Sequence, residues 1–258
     1  MKSKTYKYIY GPVSSWRLGS SLGIDPISDR KKVCTFDCIY CQVGRTKMLS
    51  CERKIFVSVA EILEELGSLP SLRVDYITFS GKGEPTLAKN LGRMIKAIKQ
   101  IRREKIAVLT NSSMLDKKDV VEDLLLADFV AAKLDAGIQN IFEIVNRPLQ
   151  DIRIDGIVNA IKRFKCIYKG KLALQVMFVK ENKKYASEIA RIAREINPDE
   201  VQINTPLRKC GVKPLSVRDL STIKAYFKGL NTVSVYECKK VKVRPISKED
   251  TLRRRGKI

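Results

Sequence analysis

From about residue 58 onward, the apolar positions of this chain fall into two alternating patterns. Period-2 or continuous apolar runs at residues 74–79, 106–110, 128–134, 172–179, 200–204 and 232–236 predict strands. Segments near 58–68, 88–103, 117–126, 150–166, 183–196 and 216–229 carry helical spacing between them. Two helix starts are marked: Ser58 with Glu61 has capping-box spacing, and Ser216 with Asp219 has the related form. Strict alternation of strand and helix predicts an α/β fold with a parallel sheet and right-handed crossovers. A further strand within residues 18–24 gives an incomplete TIM-like barrel of about six units, (β/α)6, smaller than the eight-unit form.

In parallel barrels, chemistry collects at the carboxyl ends of the strands, and the unusual local sequences fall there. SGKGEP, from Ser80 to Pro85, follows the second strand; TNSS ends the third, LDAG the fourth and NTP the sixth. The run CTFDCIYC, with Cys34, Cys38 and Cys41, follows the first. Its C-x-x-x-C-x-x-C spacing puts three soft thiolates on one short loop, a donor set suited to an iron–sulfur cluster or zinc rather than a hard cation. A four-iron cluster held by three thiolates leaves one iron without a protein ligand. A structural zinc site with Cys51 as fourth ligand is the alternative reading.

Composition narrows the setting. At 258 residues and 44% hydrophobic content, one domain is expected over residues 1–238, followed by a basic tail over 239–258. That tail carries nine Lys or Arg against Glu249 and Asp250 and reads as a mobile arm. No apolar run is long enough to cross a bilayer and the Lys-rich start lacks a signal-peptide core, so a cytoplasmic monomer with no membrane partner is expected. Cys51, Cys166, Cys210 and Cys238 are scattered and read as inert thiols, Cys210 being the best placed of them for a substrate-side role; no disulfide framework is implied. The absence of histidine excludes His bases, His metal ligands and every Ser-His or Cys-His arrangement. A formal charge of +22, from 50 basic and 28 acidic residues, exceeds what ion pairing explains and favours a polyanionic partner. Arg93, Lys96, Lys99, Arg102, Arg103 and Lys105 could form one basic patch, or a solvated helix face.

With Tyr40 directly before its third cysteine, the cysteine loop resembles that of the radical S-adenosylmethionine (SAM) superfamily, and GEP at Gly83–Pro85 resembles that family's methionine-binding element. Lys82 stands where the first of two glycines is usual. The resemblance implies a partial barrel in which Cys34, Cys38 and Cys41 hold a 4Fe-4S cluster. It further implies that Tyr40 flanks the adenine of SAM, that Gly83, Glu84 and Pro85 meet its methionyl end, and that Asn111, Ser112, Asp135 and Asn204 hydrogen-bond cofactor or substrate. The implied activity is reductive cleavage of SAM to a 5′-deoxyadenosyl radical, with electrons from an external low-potential donor. GPVSSWRLGSSLGIDP at Gly11–Pro26, LTNSS, LDAG, NRP at Asn146–Pro148 and QINTP at Gln202–Pro206 are similar to a subgroup often described as wyosine-synthetase-like. That likeness makes tRNA or another RNA the expected substrate, although no cysteine precedes Cys34 to hold the second cluster of wyosine-forming enzymes. A protein or peptide substrate, as for glycyl-radical activases, a small metabolite, and a non-catalytic zinc-binding RNA adaptor are the other readings.

Overall fold

The computed structural model describes residues 5–28, 31–238 and 241–255; residues 1–4, 29–30, 239–240 and 256–258 lie outside the described residues. The strands are β1 (Ile9–Ser15), β2 (Gly19–Ile24), β3 (Val33–Cys34), β4 (Met48–Leu49), β5 (Tyr76–Phe79), β6 (Lys105–Thr110), β7 (Phe129–Lys133), β8 (Lys171–Met177), β9 (Glu200–Asn204) and β10 (Thr232–Ser234). The helices are α1 (Val59–Gly67), α2 (Leu91–Ile101), α3 (Lys118–Leu124), α4 (Gln139–Asn146), α5 (Ile154–Ile167), α6 (Ala186–Ile196), α7 (Val217–Ala225) and α8 (Lys248–Arg255). Eight strands make one curled sheet, ordered β1-β2-β5-β6-β7-β8-β9-β10, and every neighbouring pair from β2 onward is parallel. The result is the expected α/β half-barrel, with β3 and β4 as a separate two-stranded ribbon. Among the described residues, no helix is long and apolar enough to cross a membrane.

Both marked helix starts form capping boxes: Ser58 and Ser216 accept from the amides of Glu61 and Asp219, whose carboxylates return to the cap amides. Each cap is worth about 1 kcal/mol. The main core lies between the sheet and its outer helices, where Leu22, Ile77, Val108, Val130, Leu172 and Val201 are fully buried. Alternation sends the other strand residues into the barrel. There Leu18, Ala107, Phe129, Ala131 and Ala173 form a small floor. Three alanines in that layer leave space above them, and the next inward residues are polar or flexible: Ser21, Thr78, Gln175, Met177 and Asn204 line the cavity that results.

Besides the two-residue strands β3 and β4, the elements β1, α4 and α8 escaped the pattern reading. Strand β1, which contains Gly11 and Pro12, pairs antiparallel with β2 and is bent by a register shift between Tyr10 and Val13. Helix α4 spans only about two turns between the LDAG and NRP segments, and the pattern does not predict it. The basic tail also differs from the expected arm. Ser247 bridges Gly11, Gly11 N donates to Thr251 Oγ1 at 3.0 Å, and α8 packs on β1, covering the edge that the sheet would otherwise expose.

Arg254 pins this helix. It is only 4% exposed, donates to the carbonyl of Lys7, and places Nε 3.8 Å from Asp25 Oδ2 and Nη1 4.0 Å from Asp250 Oδ1. Burial pushes the Asp25 carboxyl up to about 6, with Arg254 opposing the shift. Because that value lies above the unfolded carboxyl range near 4, the group's contribution to stability falls as pH rises from about 4 through about 6. Arg254→Ala should therefore cost roughly 3 kcal/mol at pH 8, where Asp25 is charged and unpaired, and clearly less at pH 5. Denaturant unfolding of the full chain at both values checks this; equal losses would show that Arg254 acts by packing alone.

Candidate functional site

The cysteine loop buries Phe36 and Tyr40 in the main core, and hydrogen bonds from α4 and the α4–α5 link position its backbone. Asp37 N donates to Arg147 O at 3.0 Å, Ile39 N to Val145 O at 3.0 Å and Leu149 N to Thr35 O at 2.8 Å. Phe36 bridges Pro148 and meets Phe142 edge-on at 5.2 Å. Asn146–Pro148 is thus the seat of the loop. Arg147 takes the left-handed conformation, φ 44°, that ends α4 and turns the chain beneath it.

Each of the three sulfurs receives one nitrogen donor from a different element. Asn111 Nδ2, just after β6, lies 3.6 Å from Cys34 Sγ; Asn146 Nδ2, at the end of α4, lies 3.6 Å from Cys38 Sγ; Lys32 Nζ lies 3.0 Å from Cys41 Sγ and 2.8 Å from Gly44 O. Burial pushes the Cys34 thiol up to about 12, with Glu84 adding to it, and the Cys38 thiol up to about 11, with Lys133 opposing. Burial acts to lower the Lys32 ammonium, but the charge of Cys41 and the hydrogen bond to it outweigh that and raise it. Sulfurs so placed become thiolates only when a positive partner compensates them.

Two buried carboxylates tie the loop to the sheet. Asp135, after β7 and 2% exposed, accepts from Tyr40 OH, from Asn146 Nδ2 at 2.7 Å and from Met177 N at 2.7 Å. Lys133 Nζ stands 3.8 Å from the same carboxylate and 4.5 Å from the centre of the Tyr40 ring. Asn182 Nδ2 donates to Asp135 O at 2.7 Å. Burial and the Asp135 charge raise the Tyr40 hydroxyl well above its ordinary range. Glu84, also 2% exposed, caps the short helix Pro85–Leu87 and accepts from Thr86 Oγ1 at 2.8 Å, Thr110 Oγ1 at 2.7 Å and Asn111 N at 2.7 Å. Burial raises its carboxyl, while Asn111, Thr110 and Thr86 pull it down. A side chain at position 83 would meet Val33 O at 1.9 Å, so only glycine lets the two loops touch.

Cys34, Cys38, Cys41, Tyr40, Gly83, Glu84 and Asn111 all line one pocket of about 150 Å³, which Lys32, Lys133 and Gln175 complete. Pro85, Ser112, Asp135 and Asn204 are not on its wall. Pro85 opens the short helix, Ser112 sits at φ 71° with its Oγ unpartnered, Asp135 acts through Tyr40, and Asn204 faces the larger cavity beside it. Lys32, Lys133, Asn146 and Asn182 were not anticipated. Asn146 belongs to the NRP segment, and Lys133 sits at an inward position of its strand. Among the described residues, no three His, Cys, Asp or Glu side chains converge as a single metal ion would need. Three sulfurs lining one pocket, each near a side-chain nitrogen donor, are a soft donor set that could hold an iron–sulfur cluster. Cys51, half-buried against the core, does not line the pocket.

Comparison with known proteins gives a consistent picture. The radical SAM superfamily pattern matches residues 31–201. A UPF0026 protein of Synechocystis sp. is 41% identical over 212 residues, 82% of this chain and 78% of the relative. A longer Brachyspira hyodysenteriae protein named GTPase Obg is 37% identical across 97% of this chain, which spans only 38% of that protein. Among solved structures, Streptococcus suis SuiB bound to S-adenosylmethionine superposes with TM-score 0.61 at 16% identity, over 79% of this chain and 48% of SuiB. TYW1 with a lysine-pyruvate adduct bound gives 0.62 at 16% identity, over 89% of this chain and 79% of TYW1. At that identity the likeness is one of fold.

In protein stripped of metal, the raised thiols should resist alkylation. A thiol moved from 9.0 to about 12 holds about a thousandfold less thiolate near pH 8. Iodoacetamide followed by peptide mass spectrometry should label exposed Cys166 well before Cys34 and Cys38. Labelling of Cys34 first would contradict the burial of its sulfur.

Proposed function

This chain belongs to the radical SAM superfamily, among the UPF0026 proteins, and is a radical SAM enzyme; on that premise we propose that Cys34, Cys38 and Cys41 hold a 4Fe-4S cluster whose fourth iron takes S-adenosylmethionine. The observation that supports this most strongly is the provision of one nitrogen donor to each sulfur around a shared pocket. The chemistry supplied by the bound cluster and S-adenosylmethionine is reductive cleavage to methionine and a 5′-deoxyadenosyl radical, which takes a hydrogen atom from the substrate. The chain's own residues hold and orient. Lys32, Asn111 and Asn146 stabilise thiolate charge by hydrogen bonding. Glu84 keeps Gly83 and Asn111 in register, so its role is positioning rather than direct contact. Tyr40, fixed by Asp135 beneath Lys133, presents a ring to the adenine; Asn111 and Ser112 stand at the strand end for the ribose side, and Asn204 faces the substrate side.

For partners, we propose an external low-potential electron donor and an anionic substrate. The donor would meet the basic rim beside the cysteine loop, where Lys32, Arg45, Lys47, Lys82 and Arg253 border an open depression. An RNA such as tRNA draws support from the +22 charge and from a fold shared with TYW1. The structure leaves that reading fewer cations than the sequence offered: Lys99 pairs with Asp128, Arg102 with Glu104, and Arg254 is buried.

Anaerobically reconstituted and reduced protein should convert S-adenosylmethionine to 5′-deoxyadenosine, measured by chromatography. Ala at position 34, 38 or 41 should abolish both the brown cluster and the product, whereas Cys51→Ala should retain both. Glu84→Gln should keep the iron but slow the reaction between about ten- and a hundredfold, as expected for misplacement of reacting groups. A colourless zinc protein, or loss of the cluster in Cys51→Ala, would overturn the ligand assignment.

A further inference from the structure

The larger cavity, about 450 Å³, opens over the alanine floor of the barrel and shares Val43, Gly81, Leu109 and Gln175 with the cysteine pocket. Its size suits a small molecule. Its charge is one-sided: Arg17, Arg208, Arg254 and Arg255 line it, and no Asp or Glu does. Arg254 is committed to Asp25 and Asp250. Arg17, Arg208 and Arg255 make no ion pair among the described residues, and Arg17 Nε is buried without a hydrogen-bond partner. Arg208 donates to the carbonyl of Arg255 and Arg255 to that of Ser14, bonds that aim and hold the guanidiniums but do not neutralise them.

We propose that this cavity binds the phosphate group of a small substrate between Arg17, Arg208 and Arg255. Three guanidiniums from three separate segments, the β1–β2 turn, the loop after β9 and α8, line one half-buried cavity with no carboxylate on its wall, where gathered like charge is costly. Such an arrangement disfavours the free protein, and it is explained if a ligand supplies the missing charge. Burial lowers both Arg17 and Arg208 to about 10, with the like charge of Arg255 adding a smaller push in the same direction. Planar guanidiniums grip phosphate in bidentate fashion, and a dianion matches the cluster better than a single carboxylate. Ser14, whose buried Oγ also lacks a partner, stands on the same wall. A phosphate held here would direct the rest of a small substrate along Gln175 and Leu109 toward the cysteine pocket. The docked tail helix is then a wall of the substrate site, which gives its burial a functional reason.

This assignment names the substrate class of the radical SAM reading and rests on that reading for the reaction after binding, but binding itself needs no turnover. Calorimetric titration of the full reconstituted chain with inorganic phosphate, pyrophosphate and citrate at low salt therefore tests it separately from S-adenosylmethionine cleavage. Phosphate and pyrophosphate should saturate one site, and Arg17→Gln and Arg208→Gln should each weaken them about tenfold or more. Exchange of Arg93 and Lys96, exposed on α2, to Gln should change nothing. Among the described residues, the Arg17 guanidinium has no intramolecular hydrogen bond or ion pair to lose, only a cation–π contact 5.2 Å from the Trp16 ring centre, so relief of like charge in Arg17→Gln should still raise the melting temperature of the ligand-free protein by about 2 °C. A purely structural arginine would lower it. Equal weakening by the α2 exchanges, citrate binding as tightly as pyrophosphate, or unchanged affinity in Arg17→Gln would each overturn the phosphate site. Displacement of pyrophosphate by tRNA at matched phosphate concentration would overturn the small-molecule assignment in favour of RNA.

Discussion

The buried carboxylate of Asp135 is the constraint on which the site depends. A carboxylate taken out of water costs several kcal/mol unless donors replace the solvent. Here the donors come from four directions: Tyr40 on the cysteine loop, Asn146 at the end of α4, the amide of Met177 on β8, and Lys133 at the end of β7. Satisfying one buried charge therefore fixes where the loop, the helix and two strand ends stand relative to one another. Glu84 repeats the device on the other side of the pocket, joining Thr86, Thr110 and Asn111. Between these two anchors the cysteine loop is held by polar contacts in addition to the burial of Phe36 and Tyr40.

The sheet supplies two adjoining spaces of different character. The first is small, lined by thiols, amides and three lysines, and stands over the ends of β5 to β8. The second is larger, floored by alanines and ringed by arginines. Gln175 and Leu109 belong to both, so a molecule in one would meet a molecule in the other at the top of β6 and β8. Like-charged guanidiniums gathered without a counter-anion weaken the ligand-free fold, and Arg254 opposes that weakening by tying α8 to Asp25 after β2 and to the carbonyl of Lys7 before β1.

Local rules carried the sequence reading a long way. The strand over 200–204 and both capping boxes appear where alternation and the Ser-x-x-acid spacing put them. The cysteine triad, Tyr40, Gly83, Glu84 and Asn111 meet in one pocket because parallel strands deliver their following loops to one end. What escaped was set by distant contacts. Strand β1 is stabilised by pairing across Gly11 and Pro12, residues that locally signal a turn. The tail looks like a solvated arm until Asp25, more than two hundred positions earlier, receives Arg254. Asn146 reaches the site from the end of α4, a helix the pattern did not mark, and Arg17, Arg208 and Arg255 gather from three segments with no shared spacing to reveal them.

The central claim is that three thiolates leave one iron open and that S-adenosylmethionine occupies it. Electron–nuclear double resonance on the reduced, reconstituted protein measures this directly, using cofactor labelled with ¹⁷O in the methionyl carboxylate and ¹⁵N in its amine. The account predicts hyperfine coupling from both labels to the cluster in the wild type. A cluster that forms with a fourth thiolate and shows coupling to neither label would contradict it.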